Sequence, residues 1–230
     1  MEDIEELQEI STRIAQANLN LPDPALYDYY SDLNKRIYWL QGEIVSADDS
    51  LIKYIMRCNI EDYGKDPSDR KPIIILINCA GGSVDVMQSV IGAMSASKTP
   101  VCTVNICDCS SAAAMILANG HKGYRFALPF TTAMFHAGYM SVGGTVSQVD
   151  SVKKYYDAAD KRITDFTFSR TNFTQKIKNS MKKDDIYFNE LEQLSYGVVD
   201  YIVNDLDEMF EKIGLVKTGG DENVEKHEEN

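Results

Sequence analysis

The sequence predicts an α/β fold of stacked, right-handed βαβ-type units with one protruding long helix. Two observations lead to this prediction. Apolar runs without alternation are separated by segments of helical periodicity, and a Gly-rich stretch precedes one much longer helical pattern. The composition, 44% hydrophobic and 25% charged over 230 residues, is typical of a globular chain with one core. We expect a single domain over residues 25–213, an acidic helical extension and linker over 1–24, and an acidic disordered tail over 214–230.

The first elements come from the N-terminal quarter of the chain. Residues 4–17 carry apolar side chains at helical spacing, and prolines 22 and 24 then end the pattern. Residues 36–40 predict a strand ended by Gly42, and residues 46–62 predict an amphipathic helix. The apolar face of that helix is expected to turn Leu51, Ile52, Ile55 and Met56 inward.

The central elements alternate between strand and helix. Residues 72–78 form an apolar run without alternation, which predicts a central parallel strand covered on both faces. A helical pattern follows over 84–94, a second buried strand over 101–106, a short apolar helix over 111–118 and a strand end over 133–136. This order is that of consecutive βαβ units.

The C-terminal part begins with the Gly-rich stretch 138–144. The helical pattern that follows, over 146–170, predicts an arm that protrudes from the core. A short helix over 191–194 and a turn over 196–200 lead into a last strand.

Charge and cysteine content exclude several classes of partner. The net charge is −12, and outside residues 176–183 no Lys/Arg cluster could neutralise a run of phosphates, which excludes nucleic acid as a partner. Five cysteines in apolar segments predict reduced, mostly buried thiols and a cytoplasmic protein. No apolar stretch reaches the roughly 18 residues of a membrane span, so we expect no membrane association.

Two segments have the composition of a catalytic site. Glycines 81 and 82, between a predicted strand and a helix, leave backbone N–H groups free for an oxyanion, although such a pair also occurs in tight connections. Ser111 begins a helix of small residues, where its hydroxyl is either an exposed nucleophile or an N-cap. The neighbouring Ser110 leaves the same choice open.

Histidines that could act as a base are scarce. His227 lies in the predicted tail, and His121 follows a helix C-terminus, where a solvated imidazole or one that interacts with the helix dipole is expected. His136 ends a predicted strand, where active-site groups of α/β proteins are commonly found. A serine needs such a base, and the base needs an acceptor for its second nitrogen. The pattern alone does not select that acceptor among 35 acidic residues.

Several motifs carry a family resemblance. They are Tyr-Asp-Tyr-Tyr-Ser at 27–31, Arg-Ile-Tyr-Trp-Leu-Gln-Gly at 36–42, Ile-Asn-Cys-Ala-Gly-Gly-Ser at 77–83, Lys-Gly-Tyr-Arg-Phe-Ala-Leu-Pro at 122–129 and Tyr-Gly-Val-Val-Asp at 196–200. With them the chain from about residue 27 to residue 203 resembles the proteolytic subunit of the Clp protease family. The resemblance implies a fold of stacked ββα units, related to that of crotonase-like enzymes, with a long-helix handle.

The resemblance also implies a catalytic site. The family's nucleophile, base and acid fall on Ser111, His136 and Asp185, and its oxyanion donors fall on the backbone N–H groups of Gly82 and Ala112. No metal or cofactor is implied. The implied activity is hydrolysis of peptide bonds in unfolded polypeptides by a serine endopeptidase.

The sequence departs from the family pattern near the site. Cys109-Ser110-Ser111 replaces the usual segment, so Ser110 is a rival nucleophile; Cys109 is expected to be a buried small residue. Residues 137–138 are Ala-Gly where the family usually has Gln-Pro, which predicts a more flexible substrate-binding loop. Asp184 stands where the family has an arginine that contacts the other ring, so assembly is expected to differ.

The partners implied by the resemblance are copies of the chain itself, in seven-membered rings stacked in pairs, and an AAA+ unfoldase. Three other readings remain open. They are a phage-type head-maturation protease of the same fold, a catalytically inactive structural ring subunit and a crotonase-like acyl-CoA-binding enzyme. The last is disfavoured because Ser111, His136 and Asp185 occur together.

Overall fold

A mainly parallel sheet organises the computed structural model, which describes residues 30–138 and 141–215. In this part of the chain the sheet has seven strands. They are β1 (Ile37–Ile44), β2 (Ile73–Gly82), β3 (Val101–Ser110), β4 (Arg125–Ala127), β5 (Thr132–Phe135), β6 (Ile186–Asn189) and β7 (Tyr201–Ile202). The order is β1-β2-β3-β4-β7; β5 pairs with β3 beyond the end of β4, and β6 pairs with β5. All pairs are parallel except β5–β6, which is antiparallel.

Helices connect and cover these strands. They are α1 (Ser50–Glu61), α2 (Val84–Ala96), α3 (Ala112–Ala118), α4 (Val146–Ser169), α5 (Gln175–Ser180), α6 (Glu190–Ser195) and α7 (Leu206–Lys212), with a 3₁₀ turn at Pro67–Asp69. The predicted α/β class is confirmed. Residues from Arg36 onward form one compact unit, and residues 30–35 belong to a separate N-terminal unit, in which 30–34 are helical.

Three predictions concern termini that the structure leaves largely undescribed. The predicted helix over 4–17 and the boundary between residues 24 and 25 lie outside the described residues. The predicted tail over 214–230 also lies outside them, except for its first two residues.

The core lies around the two central strands. Ile73, Ile75 and Ile77 of β2 and Val101 and Val104 of β3 are fully buried, because helices cover both faces of a parallel sheet. The inner face of α2 is buried as its periodicity predicts; it consists of Met87, Val90, Ile91 and Met94.

The structure corrects one core assignment. Met56, predicted to face inward on α1, is 58% exposed, whereas Tyr54 and Cys58 are buried. The sequence pattern was ambiguous because Met56 directly follows Ile55, and adjacent residues on a helix point about 100° apart.

Strand limits also differ from those predicted. Gly42 does not end β1; it lies inside the strand at φ +74°, and the register with β2 shifts between Gly42 and Ile44. β2 and β3 continue to Gly82 and Ser110, beyond their apolar runs. Both extensions carry the residues of the candidate site, where polar side chains break the apolar pattern.

The predicted arm is α4. It has 24 residues, of which Thr167 is buried and the others are half-buried or exposed. Its N-terminus is fixed by a capping box between Thr145 and Gln148. Within the described part of the chain, no helix combines the length and the apolar character needed to cross a membrane.

A buried ion pair joins the start of β1 to the end of α1. The carboxylate of Asp62, which has no exposed surface, accepts hydrogen bonds from Arg36 at 2.6 and 2.9 Å and from Thr99 at 2.9 Å. Lys65 donates at 2.8 Å from the surface. Chiefly through the hydrogen bonds from Arg36, these contacts hold the pKa of Asp62 well below its ordinary value of 3.8, although burial opposes them.

We therefore expect Asp62→Asn to remove a pH-dependent part of the stability. A carboxylate with a depressed folded-state pKa stabilises the fold above its unfolded pKa, and this contribution disappears as the pH falls through the folded-state value. Urea unfolding at pH 7 is expected to show a loss of about 2–3 kcal/mol, and the difference in stability from the wild type is expected to begin to narrow below about pH 4 and to shrink further as the pH falls.

Asp49→Asn serves as the control, because the Asp49–Lys53 pair is more than half exposed. A gap that stays constant between pH 7 and pH 3 in Asp62→Asn contradicts the ionic role of Asp62.

Candidate active site

Ser111 lies at the junction between β3 and α3. Its backbone is at φ +56° and ψ −120°, a region that L residues rarely adopt and that marks a sharp strand-to-helix turn. Its N–H donates to the carbonyl of Met134 on the neighbouring β5 at 2.8 Å, which fixes the turn. The hydroxyl makes no capping hydrogen bond to α3. Ser111 therefore occupies the N-cap position without capping the helix through its side chain, and its Oγ atom is directed elsewhere.

The Ser111 hydroxyl is hydrogen-bonded to the imidazole of His136. His136 directly follows β5, which pairs with β3 so that Ser110 is opposite Met134. This register brings His136 Nε2 to 2.8 Å from Ser111 Oγ. The imidazole is 21% exposed, so a substrate can reach it while one side remains covered.

Asp185 lies opposite His136 because of the antiparallel pairing of β5 with β6. Phe135 pairs with Ile186, and the next step of the same register places His136 beside Asp185. Asp185 Oδ1 is 3.2 Å from His136 Nδ1, and the carboxylate is 51% exposed. A second contact holds the two segments together, since the N–H of Ala137 donates to the carbonyl of Met181 at 2.7 Å.

These three side chains form a chain of hydrogen bonds. A proton on Nδ1 of His136 satisfies the bond to Asp185 and leaves the Nε2 lone pair to accept from the Ser111 hydroxyl. The arrangement can move the serine proton onto the imidazole while the carboxylate stabilises the resulting cation. The structure thus brings together all three predicted side chains, which come from widely separated parts of the sequence.

The predicted Gly pair packs against this serine. Gly81 is at φ +94°, and a Cβ atom there would lie 2.6 Å from the Ser110 carbonyl oxygen and 2.8 Å from Ser111 Cβ. A Cβ on Gly82, at φ +136°, would lie 2.2 Å from the carbonyl oxygen of Ile44. Both positions therefore require glycine, and the turn lies against the start of α3. The N–H of Ala112, in the first turn of α3, has no intrahelical acceptor.

Neither alternative nucleophile is placed for attack, because the Ser110 hydroxyl is hydrogen-bonded elsewhere and the Cys109 thiol is buried. Ser110 Oγ hydrogen-bonds the carboxylate of Asp108, at 2.8 and 3.0 Å from its two oxygens. Cys109 is fully buried, and burial together with the charge of Asp108 raises the pKa of its thiol well above 9.0. Four of the five cysteines are buried free thiols as predicted, whereas Cys107 is exposed.

The other histidines do not join the site. His121 accepts a hydrogen bond from the N–H of Val101 on its Nδ1 at 2.9 Å, and burial and the charge of Arg170 lower its pKa. It is a structural histidine that accepts a backbone hydrogen bond, so of the two alternatives given for it the solvated imidazole is wrong. His227 lies outside the described residues. Within the described ranges, no group of three or more His, Cys, Asp or Glu side chains is arranged to hold a metal ion.

A cavity of about 260 Å³ opens beside the serine and the histidine. We call it the side-chain cavity. Its apolar wall is formed by Met87, Met115, Phe135 and Met181, and one face of α4 closes the other side. A cavity of this volume can hold one large amino-acid side chain.

A buried arginine, missed by sequence reasoning, joins the C-terminal ends of α3 and α4, two helices that contribute to the site. Arg125 has no exposed surface; it donates to Asp200 at 2.6 and 2.9 Å and to the carbonyls of Ala118, Arg170 and Gly197. These contacts join the ends of α3 and α4 to the segment before β7. The available signal was a charged residue between Tyr124 and Phe126, directly before the apolar residues at 126–128.

Comparisons with known proteins agree with the resemblance seen in the sequence. A family model described as Clp protease matches residues 23–205. The chain is 27% identical over 190 residues to the ATP-dependent Clp protease proteolytic subunit 2 of Rhodococcus jostii (strain RHA1). This match covers 83% of the chain and 93% of that relative.

Proposed function

The chain belongs to the Clp protease family of peptidases, and from this premise we propose that it is a serine endopeptidase with Ser111 as nucleophile, His136 as base and Asp185 as orienting acid. The observation that carries the proposal is the contact of 2.8 Å between Ser111 Oγ and His136 Nε2. A serine hydroxyl that donates a hydrogen bond to a neutral imidazole is the arrangement that activates serine as a nucleophile near neutral pH.

In the proposed acylation, His136 Nε2 takes the proton of the Ser111 hydroxyl as Oγ forms a bond to the carbonyl carbon of the peptide. The backbone N–H groups of Gly82 and Ala112 stabilise the oxyanion. The C–N bond then breaks, and the imidazolium gives its proton to the leaving amine. Asp185 accepts from Nδ1 throughout and stabilises the imidazolium.

Deacylation repeats these steps with water. His136 deprotonates the water, whose oxygen attacks the acyl carbon, and the Oγ–C bond breaks as the proton returns to Ser111. The products are a carboxylic acid and the free enzyme. No bound cofactor takes part in the proposed sequence of bonds.

The proposal includes an assembly. We propose seven-membered rings, stacked in pairs, which enclose the sites in a chamber that an AAA+ unfoldase supplies with unfolded polypeptides. Support comes from α4, which leaves Val146, Tyr155 and Phe166 exposed along a long helix with little contact to its own core. The name of the relative from Rhodococcus jostii, an ATP-dependent proteolytic subunit, is consistent with it. We also propose a cytoplasmic location, as the cysteine content of the sequence predicts.

Fluorophosphonate labelling of the full chain tests the catalytic proposal. A triad serine attacks the phosphorus, displaces fluoride and keeps the phosphonyl group, so we expect one adduct, on Ser111, in a peptide map. An adduct on Ser110, or no adduct in a preparation that hydrolyses peptides, contradicts the assignment. An absence of both adduct and hydrolysis supports the inactive-subunit reading.

A further inference from the structure

The far end of the side-chain cavity is formed by helix α4. Asp160, Thr164 and Phe168 all line it, and their spacing of four residues places them on one face of the helix. Asp160 and Phe168 are about 12 Å apart along the helix axis, since each residue advances 1.5 Å. The cavity therefore runs from an apolar region near Phe168 to a carboxylate at Asp160.

The charges around the cavity are unevenly paired. Asp165 forms a salt bridge with Lys161, and the hydrogen bond from Lys161, helped by the charges of Lys161, Lys178 and Lys182, lowers the pKa of Asp165. Lys178 also lies over the ring of Phe168, at 5.3 Å. Of the two lysines that line the cavity, Lys178 thus lies at its Phe168 end, and neither Lys178 nor Lys182 is among the charges that act on Asp160.

Asp160 has no such partner. Within residues 30–138 and 141–215, no salt bridge involves it, and its charged neighbour Asp157 is paired with Lys153. Burial and, to a smaller extent, the charge of Asp157 raise the pKa of Asp160. A carboxylate in this condition is stabilised by any cation that enters the cavity.

We propose that Asp160 determines substrate specificity by binding the cationic tip of an arginine or lysine in the residue whose carbonyl Ser111 attacks. This inference rests on the proposed function. The aliphatic stem of such a side chain packs against Met87, Met115 and Met181, whose flexible thioethers adapt to an unbranched chain. Its positive tip then pairs with the carboxylate of Asp160, to which the described residues supply no salt bridge. A glutamate side chain in the same place is repelled by Asp160.

The test uses the full chain and fluorogenic peptides that differ only in the residue before the scissile bond: arginine, lysine, norleucine or glutamate. Norleucine has the stem of lysine without the ammonium group. In Asp160→Asn we expect kcat/KM for the arginine and lysine peptides to fall about tenfold, because a charge-assisted hydrogen bond is lost. The norleucine value is expected to stay within about twofold.

Asp157→Asn is the matched control. It removes the same charge from the same helix, three residues away, but Asp157 does not line the cavity. For this variant we expect the ratio of kcat/KM between the lysine and norleucine peptides to stay within about twofold of the wild-type ratio.

Two outcomes overturn the inference. In the first, the ratio of kcat/KM for the lysine peptide to kcat/KM for the norleucine peptide does not change in Asp160→Asn. In the second, the glutamate peptide is the best substrate of the wild type. Labelling of Ser111 by a fluorophosphonate then still supports the serine-peptidase assignment, so the specificity inference fails alone. Absence of labelling and hydrolysis overturns both.

Discussion

Ser111→Ala is expected to abolish peptide hydrolysis, with kcat reduced by a factor of the order of 10⁶. Ser111 Oγ is the atom within hydrogen-bond distance of His136 Nε2, so alanine leaves the base without a proton to accept. The small rate of hydrolysis that remains in Ser111→Ala comes from the oxyanion donors and from substrate binding alone. The measurement is hydrolysis of a fluorogenic peptide, with correct folding checked by circular dichroism.

Ser110→Ala is the matched control, one residue away. Its hydroxyl bonds Asp108 and not the imidazole, so we expect kcat to change by less than about tenfold through small shifts of the turn. If Ser110→Ala loses activity and Ser111→Ala keeps it, the nucleophile is assigned to the wrong serine. If both variants keep the activity of the wild type, hydrolysis comes from a contaminant.

The sequence predicted the parts of the fold that depend on short-range periodicity. The apolar runs of β2 and β3 and the buried face of α2 could be recognised because burial on a parallel sheet leaves continuous hydrophobic runs. β4, with three residues, and β6, with four, were not foreseen as strands. Such short segments carry too few residues to show a period, and their pairing depends on distant neighbours.

The same distinction applies to the candidate site. His136 could be selected because histidines are scarce, whereas the strand-to-helix junction left Ser110 and Ser111 as alternatives and only the family resemblance favoured Ser111. Asp185 rested on family spacing, since its place opposite His136 follows from the register between β5 and β6. No property of the residues around Asp185 distinguishes it from the other acidic residues, so only the pairing of strands explains its position.

Arg125→Met is expected to destabilise the fold by about 3–5 kcal/mol, the usual consequence of removing one member of a buried ion pair. The substitution leaves Asp200 without its guanidinium partner and removes a donor from three backbone carbonyls. Burial alone raises the pKa of Asp200, yet hydrogen bonds and charge from Arg125 hold it below its ordinary value. For a chain of this size we expect the melting temperature to fall by about 10 °C.

Lys122→Ala separates this buried effect from the general loss of a positive charge near Asp200. Lys122 also pairs with Asp200, at 3.2 Å, but its side chain is 78% exposed, so its loss is expected to cost less than about 1 kcal/mol. Both variants are compared at one protein concentration, because self-association would add to the measured stability. Equal losses in the two variants would falsify the view that Arg125 acts through buried contacts. A large loss confined to Arg125→Met supports a structural reason for the arginine and aspartate in the motifs at 122–129 and 196–200: they hold the C-terminal ends of α3 and α4 together.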